Sequence, residues 1–245
     1  MKVSIVMTCY NTSKYVNEAI RSVVQQSYKN WELIIVDDAS TDDTVSVVTK
    51  SIADFKIGDR TKVFVHKRNC GCGKSLSDAI RYSSGDLVAV LDSDDVLAPN
   101  VLSLVVPPHI ANRHISLVYT NYMVCDSNMN QLKLVKNFHI PPGQSYMHHM
   151  KGVSHLKCFK KSMYQKTAGL DESLLKSVDK DLILKLEEVG TLHYVDTVGY
   201  FYRHRSSSLS NSFFKRPREQ QLKMRQDRKS IVQKARIRRS KGIIS

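Results

Sequence analysis

Apolar and polar residues alternate in blocks along the first hundred positions. Strand-length apolar runs are centred on Val3–Cys9, Glu32–Val36 and Lys62–His66, and a fourth ends at Asp92. Between the first two, the stretch Tyr15–Val24 repeats apolar residues every three to four positions, as one buried helix face requires. Alternating strands and helices predict right-handed crossovers and a largely parallel sheet.

Local signals predict where the helices begin and end. Ser40 and Asp43 have the spacing of a capping box, with Asp in place of Glu, so we expect a second helix to begin there. A third helix is predicted over Lys74–Ser83, after the loop Arg68–Gly73. Gly85 follows it, where a left-handed residue often ends a helix.

After Pro99 the order of elements changes. A helix from about Asn100 precedes several strands and helices: Ile115–Val124, Leu132–Val135, Val153–Phe159, Lys161–Thr167, Lys180–Val189, His193–Val195 and Gly199–Arg203. We expect one domain over residues 1–212, whose half 1–99 binds a nucleotide and whose mixed half 100–212 supplies a second binding surface. A basic helical tail, 213–245, completes the predicted α/β protein.

Three polar clusters follow predicted strands: Tyr10, Asp37-Asp38 and Asp92-Ser93-Asp94-Asp95. In a parallel sheet, ligands bind at the carboxyl ends of the strands. The last cluster alone could be a solvated acidic turn. However, three carboxylates within four positions repel one another unless a cation is present. Three clusters at one edge favour a ligand site.

A nucleoside diphosphate would explain this convergence. Tyr10 can stack on a base, and Asp38 can accept hydrogen bonds from a base or a ribose. Asp92 and Asp94 point to the same side of an extended segment and can hold Mg²⁺ or Mn²⁺, while Lys74 can reach the phosphates. Each has a plain alternative, namely core packing for Tyr10, helix capping for Asp38 and a solvated lysine for Lys74.

The charge is concentrated at one end of the chain. The formal net charge is +14. Twelve of the basic residues lie between Lys215 and Lys241, against only Glu219 and Asp227. The nearly balanced body gives no reason to expect nucleic acid, whereas the tail is either a solvated helix or a contact for anionic lipid or polymer.

Cysteine usage and hydropathy indicate the compartment. The five cysteines, including Cys70-Gly71-Cys72, form no even framework and are interpreted as free thiols rather than as a zinc site. No apolar stretch approaches the roughly 20 residues of a membrane span. The first strand lacks the length and cleavage site of a signal peptide. We expect a cytoplasmic protein, with a peripheral membrane contact through the tail.

Three ordered motifs carry a resemblance to a known family: Val3-Ser4-Ile5-Val6-Met7-Thr8-Cys9-Tyr10-Asn11, Trp31-Glu32-Leu33-Ile34-Ile35-Val36-Asp37-Asp38-Ala39-Ser40 and Leu91-Asp92-Ser93-Asp94-Asp95. The chain resembles the family 2 glycosyltransferases with the GT-A fold. The resemblance is close over residues 3–99. It continues more loosely to Ser210, through Gly169-Leu170-Asp171-Glu172, Val178-Asp179-Lys180-Asp181-Leu182 and Tyr202-Arg203.

The resemblance implies metal-dependent, inverting transfer of a sugar from a nucleoside diphosphate sugar, with UDP favoured, to an acceptor hydroxyl. The acceptor would be a glycan or a lipid-linked sugar, in glycan or polysaccharide synthesis. Donor-binding residues would be Thr8, Tyr10, Asp38, Lys74, Asp92 and Ser93. Asp94 with Asp92 would bind Mn²⁺ or Mg²⁺, and Asp95 and His204 are further metal candidates. The general base would be Asp179.

A base is needed because a hydroxyl is a poor nucleophile at neutral pH. Asp179 and Asp181 lie about 200° apart on a helix, so only one can face the acceptor. Asp179 is preferred because it matches the family position, with Asp181 as the alternative. Either could instead be an acid that stabilises a helix N-terminus.

The sequence departs from the family at several functional positions, and one of them is Leu76-Ser77 in the third helix, where many members carry Arg-Asn. Val178 stands where the family often has Glu, and Arg205 stands where it frequently has His, so a solvated His204 is the simpler interpretation. The serine-rich segment 206–212 predicts a mobile loop that closes over the donor.

Other functional classes fit less well. A nicotinamide-dependent oxidoreductase would need a glycine-rich turn after the first strand, and residues 8–13 contain no glycine. A sugar nucleotidyltransferase would need a glycine-rich, arginine-containing loop at the same place. The remaining alternative is a non-catalytic GT-A-like protein whose basic tail holds an acidic polymer, a membrane or nucleic acid.

Overall fold

The computed structural model describes residues 1–174, 177–205 and 217–240. The first half alternates strands and helices: β1 (Val3–Cys9), α1 (Val16–Val24), β2 (Trp31–Asp37), α2 (Thr44–Asp54), β3 (Thr61–Val65), α3 (Cys72–Tyr82) and β4 (Leu87–Asp92). The second half is mixed: β5 (Val96–Leu97), α4 (Val101–Ala111), β6 (Ile115–Cys125), β7 (Gln131–Val135), β8 (Lys157–Lys160), α5 (Lys161–Tyr164), α6 (Val178–Val189), β9 (Thr191–Arg203) and α7 (Arg218–Ser240).

One sheet runs through both halves in the order β3-β2-β1-β4-β8-β6-β9-β5, with β7 paired to β6. The four strands of the first half are parallel, as predicted, and β8 joins β4 in antiparallel orientation. Alternate β1 residues enter two cores on opposite faces: Val3, Ile5 and Met7 pack with α1, whereas Val6 packs with α3 and α6. This double burial explains why β1 reads as a continuous apolar run.

Three local predictions were wrong. Helix α2 begins only at Thr44, and Ser40 bonds to Asp37 instead of capping it; the Asp42 carboxylate accepts the Thr44 N–H at 3.0 Å. Gly85 is not left-handed, and glycine is required there because a Cβ would lie 2.7 Å from the Lys2 carbonyl oxygen.

The third wrong prediction concerns the two short strands after α6. They form the single strand β9, which pairs in parallel with β6 across register shifts near Asn121.

The basic tail helix α7 packs against α6. Ile231 and Ala235 are fully buried, and the Arg238 guanidinium donates to both Glu188 carboxylate oxygens at 2.6 and 2.7 Å. The Lys234 ammonium donates to Asp171 at 2.7 Å. The sequence shows no clean apolar stripe here because ion pairs supply much of this interface.

Candidate active site

The carboxyl ends of β2, β1 and β4 lie side by side. Thr8 at the end of β1 pairs with Val36 of β2 on one side and with Asp92 of β4 on the other. Tyr10 and Asp38 directly follow two of these strand ends, and Tyr10 is 47% exposed. The predicted meeting of the three polar clusters at one edge of the sheet is therefore present.

The Asp38 carboxylate organises the loop that leads into α3. Its Oδ1 accepts the Cys70 N–H at 2.8 Å and lies 2.9 Å from His66 Nδ1, while its Oδ2 accepts the Gly71 N–H at 2.8 Å. Gly71 has a φ of 88°, a conformation that favours glycine and lets the chain turn into the helix. Among the described residues Asp38 Oδ2 accepts only this hydrogen bond, whereas a carboxylate oxygen can accept two.

Lys74 points along α3, where it pairs with two acidic side chains. Its ammonium donates to Asp78 Oδ1 at 3.0 Å and lies 3.7 Å from Glu172. Asp78 Oδ2 lies 3.2 Å from His66 Nε2, so His66 links this group to Asp38. Sequence reasoning missed His66, which follows β3 as the aspartates follow their strands.

The acidic turn after β4 is held by the end of β9. The Arg203 backbone N–H donates to Asp95 Oδ1 at 2.7 Å, and the Arg203 guanidinium donates to the Asp94 carbonyl at 2.7 Å. Arg205 Nε donates to Asp94 Oδ2 at 2.6 Å. Asp95 therefore orients the turn, and Asp94 presents its side chain to a cation of the chain itself.

Burial and mutual repulsion raise the pKa values of two carboxyl groups in this acidic turn. Burial raises the pKa of Asp92 to about 6; nearby Lys157 opposes the rise, and Asp94 and Asp179 add to it. Burial, with Asp92 and Asp94 nearby, also raises the pKa of Asp95 well above its usual range. Carboxylates that repel one another in this way gain from a divalent cation.

The donor set fits a hard divalent cation such as Mn²⁺ or Mg²⁺. Its members are carboxylate oxygens, the ligands that these ions prefer. Asp95 Oδ2 is buried without a geometric hydrogen bond to any residue in the described ranges, and the Tyr200 side chain lies beside this carboxyl group.

The first turn of α6 separates the two base candidates. Asp181 is 1% exposed and forms an ion pair with Lys185 at 2.6 Å. Asp179 instead lies within electrostatic reach of Asp92 and of Cys72 at the start of α3. The helix thus turns Asp181 into the protein and Asp179 toward the sheet edge.

Lys157 is a buried cation of this site that sequence reasoning missed. It is 5% exposed on β8 and lies opposite Val90 of β4, so its side chain shares the face of Asp92 two residues on. It interacts electrostatically with Asp92 and Cys72. A lysine inside the apolar run His155–Phe159 is the signal that could have found it, because a buried charge requires a partner.

Two further predicted site residues, Ser93 and His204, differ in exposure. Ser93 is 4% exposed and lies beside Cys9, beneath the turn. His204 is exposed, and its backbone N–H donates to the Cys125 carbonyl at 2.8 Å. The predicted loop 206–212 lies outside the described residues.

Comparison with known proteins identifies the family. The family described as Glycosyl transferase family 2 matches residues 4–169. The chain belongs to glycosyl transferase family 2. It is 30% identical over 198 residues to a chondroitin synthase of Escherichia coli, a match that covers 81% of this chain and 28% of that protein. The predicted family is therefore confirmed.

Solved structures confirm the GT-A fold of this family 2 glycosyltransferase. Staphylococcus aureus TarS 1-349 in complex with UDP-GlcNAc has a TM-score of 0.69 at 21% identity, over 86% of this chain and 61% of that one. Mannosyltransferase PcManGT from Pyrobaculum calidifontis, in complex with GDP-Man and Mn²⁺, has a TM-score of 0.67 at 18% identity, over 90% and 61%. The chain thus spans only part of each of these proteins. No helix within the described ranges is long and apolar enough to cross a membrane.

Proposed function

We propose that this chain catalyses metal-dependent, inverting transfer of a sugar from a UDP-sugar to a hydroxyl of a glycan or lipid-linked acceptor. The observation that carries the proposal is the position of Asp179, which lies within electrostatic reach of Asp92 while Asp181 is paired inside the protein. A carboxylate opposite the acidic turn is what a single in-line displacement requires. The family membership supports the same reaction class.

Asp179 acts as the general base. An acceptor hydroxyl must lose its proton as its oxygen attacks the anomeric carbon, and a carboxylate within hydrogen-bond reach removes that proton. The diphosphate leaves from the opposite face, so one displacement inverts the anomeric centre. Position 178 is Val, so the carboxylate that often precedes the base in the family is replaced by an apolar side chain that is buried here.

The donor lies along the carboxyl edge of the sheet. Tyr10 stacks on the base, and Asp38 Oδ2 accepts a hydrogen bond from the nucleoside. Thr8 and Asp92 lie next to the nucleoside. Asp94, with Asp92, would hold Mn²⁺ or Mg²⁺, which when bound stabilises the charge that develops on the leaving diphosphate. Lys74 stays charged, because its hydrogen bond to Asp78 raises its pKa, and it serves the phosphates only if it leaves that partner.

The outer face of α7 supplies a contact for an anionic surface. Arg218, Lys223, Lys229 and Arg236 are exposed, while Asp227 is buried. We propose that this face holds the protein at an anionic membrane that presents a lipid-linked acceptor. Cosedimentation with phosphatidylserine vesicles should fall for Lys229→Glu with Arg236→Glu, and equal binding by this variant would contradict the contact.

The catalytic proposal is tested by nucleotide release from a panel of UDP- and GDP-sugars, with and without Mn²⁺. Asp179→Asn should retain donor binding and lose transfer, whereas Asp94→Ala should lose Mn²⁺-dependent donor binding. Asp43→Asn, an exposed acid before α2, is the matched control and should behave as wild type. Transfer retained by Asp179→Asn would reject it as the base and make Asp181 the next candidate.

A non-catalytic binding protein predicts a different result. Its basic helix would bind polyanions, and no donor in the panel would be turned over. Undiminished vesicle or polyanion binding without any turnover would therefore replace the enzyme proposal.

A further inference from the structure

A cation of the chain already pairs with the acidic turn. Arg205 Nε donates to Asp94 Oδ2 at 2.6 Å, and the side chains of the two residues are only 18% and 16% exposed. A charge-assisted hydrogen bond shielded from water in this way is stronger than a surface ion pair. Asp94 is the residue expected to contact the divalent cation, so both cations use the same carboxylate.

The fold determines this pairing. Strand β5 pairs in antiparallel orientation with β9, with Val96 opposite Phe201, so residues just after β9 reach the turn just before β5. Arg203 fixes the turn backbone through Asp94 and Asp95, which leaves the Arg205 side chain directed at the Asp94 carboxylate.

An aromatic ring defines the other side of Arg205. Its guanidinium carbon lies 5.3 Å from the centre of the Tyr15 ring, within the range of a cation–π contact. The Arg203 guanidinium lies 4.8 Å from the same ring. Tyr15 therefore flanks the same guanidinium that pairs with Asp94, and its contact with Arg205 does not require the Asp94 carboxylate.

We propose that Arg205 is a donor-binding residue that neutralises Asp94 before the donor arrives and then changes partner to the donor diphosphate. A planar guanidinium suits both partners, because it binds carboxylates and phosphates in the same bidentate geometry. This inference rests on the proposed function. It assigns to Arg205 two opposite effects: competition with a free divalent cation, and assistance to a bound diphosphate.

Two calorimetric titrations test the proposal, one with Mn²⁺ alone and one with UDP in saturating Mn²⁺. Arg205→Ala removes one positive charge beside Asp94. This variant should bind Mn²⁺ on the order of tenfold more tightly, because like charges a few ångströms apart repel at that scale. The same variant should bind UDP on the order of tenfold more weakly. Arg205→Lys should lie between wild type and Arg205→Ala in both titrations.

Lys50→Ala is the matched control, because it also removes one cation from an ion pair, the exposed pair with Asp54. It should change neither titration, and thermal unfolding should show that both alanine variants are folded. Weaker Mn²⁺ binding by Arg205→Ala would mean that Arg205 only orders the turn. Unchanged UDP affinity would mean that Arg205 does not contact the diphosphate. Either result overturns the proposal. If wild type binds Mn²⁺ but no UDP, the proposed function fails, and the metal titration alone still reports the competition.

Discussion

Replacing Lys157 with Met should change the pH range in which the acidic turn binds a divalent cation. Lys157 is the buried cation that opposes the rise in the pKa of Asp92, and Met matches the length of its stem without the charge. Diagonal neighbours on paired strands lie roughly 6 Å apart at their side chains. At an effective dielectric of about 20, two unit charges at that separation interact by about 3 kcal/mol, or about two pKa units.

The pKa of Asp92, about 6 in the wild type, should therefore rise toward about 8 in the variant. At pH 7 most wild-type molecules carry an ionised Asp92, whereas only about a tenth of the variant molecules do, so Mn²⁺ should bind about tenfold more weakly. The sign follows from the ligand chemistry, because only the ionised carboxylate binds the cation and binding is lost as the pH falls through the pKa.

Calorimetric titration with Mn²⁺ from pH 5.5 to 8.5 would measure this shift. Lys160→Met is the control, because Lys160 is a buried lysine of the same strand whose ammonium donates to the distant Asn112 carbonyl at 2.9 Å. Its pH profile should match the wild type. A Lys157→Met profile with an unchanged midpoint would refute either the coupling to Asp92 or the participation of Asp92 in cation binding, and carboxyl-carbon NMR of Asp92 would tell these apart.

Three further predictions concern stability. Because the folded pKa of Asp92 exceeds its unfolded value, ionising this carboxyl group opposes folding, and the penalty is absent below about pH 4 and complete above about pH 6. Asp92→Asn should therefore add up to about 3 kcal/mol to the free energy of unfolding at pH 7 and nothing at pH 4. Urea unfolding at the two pH values would measure this difference. Ile231→Ala should cost about 2–5 kcal/mol because the side chain is fully buried against α6, whereas Leu222→Ala, 50% exposed on the same helix, should change little; equal costs would argue against the docked helix. Gly85→Ala should lower the melting temperature because its Cβ would meet the Ser4 side chain at 2.7 Å, and an unchanged melting temperature would mean that the backbone shifts without cost.

Much of the first half was predictable because its signals are local. The apolar run Val3–Cys9 is buried on both sides of a parallel sheet, so its hydropathy alone indicated its place. Parallel strands end at one edge of the sheet, and this rule predicts that Tyr10, Asp38 and Asp92 lie together. Helix starts were less predictable, as α2 shows, because several serines and aspartates in one turn offer competing caps.

The sequence by itself determined the alternation of strands and helices, the edge at which the ligand site forms and the acidic turn at its centre. Only the tertiary structure decided which charges meet. It buried Asp181 against Lys185, turned Asp179 toward Asp92 and placed Lys157 and Arg205 beside the acidic turn. The reason is physical: periodicity reports which face of an element is buried, whereas the partner of a charge depends on strand pairing between residues about a hundred positions apart.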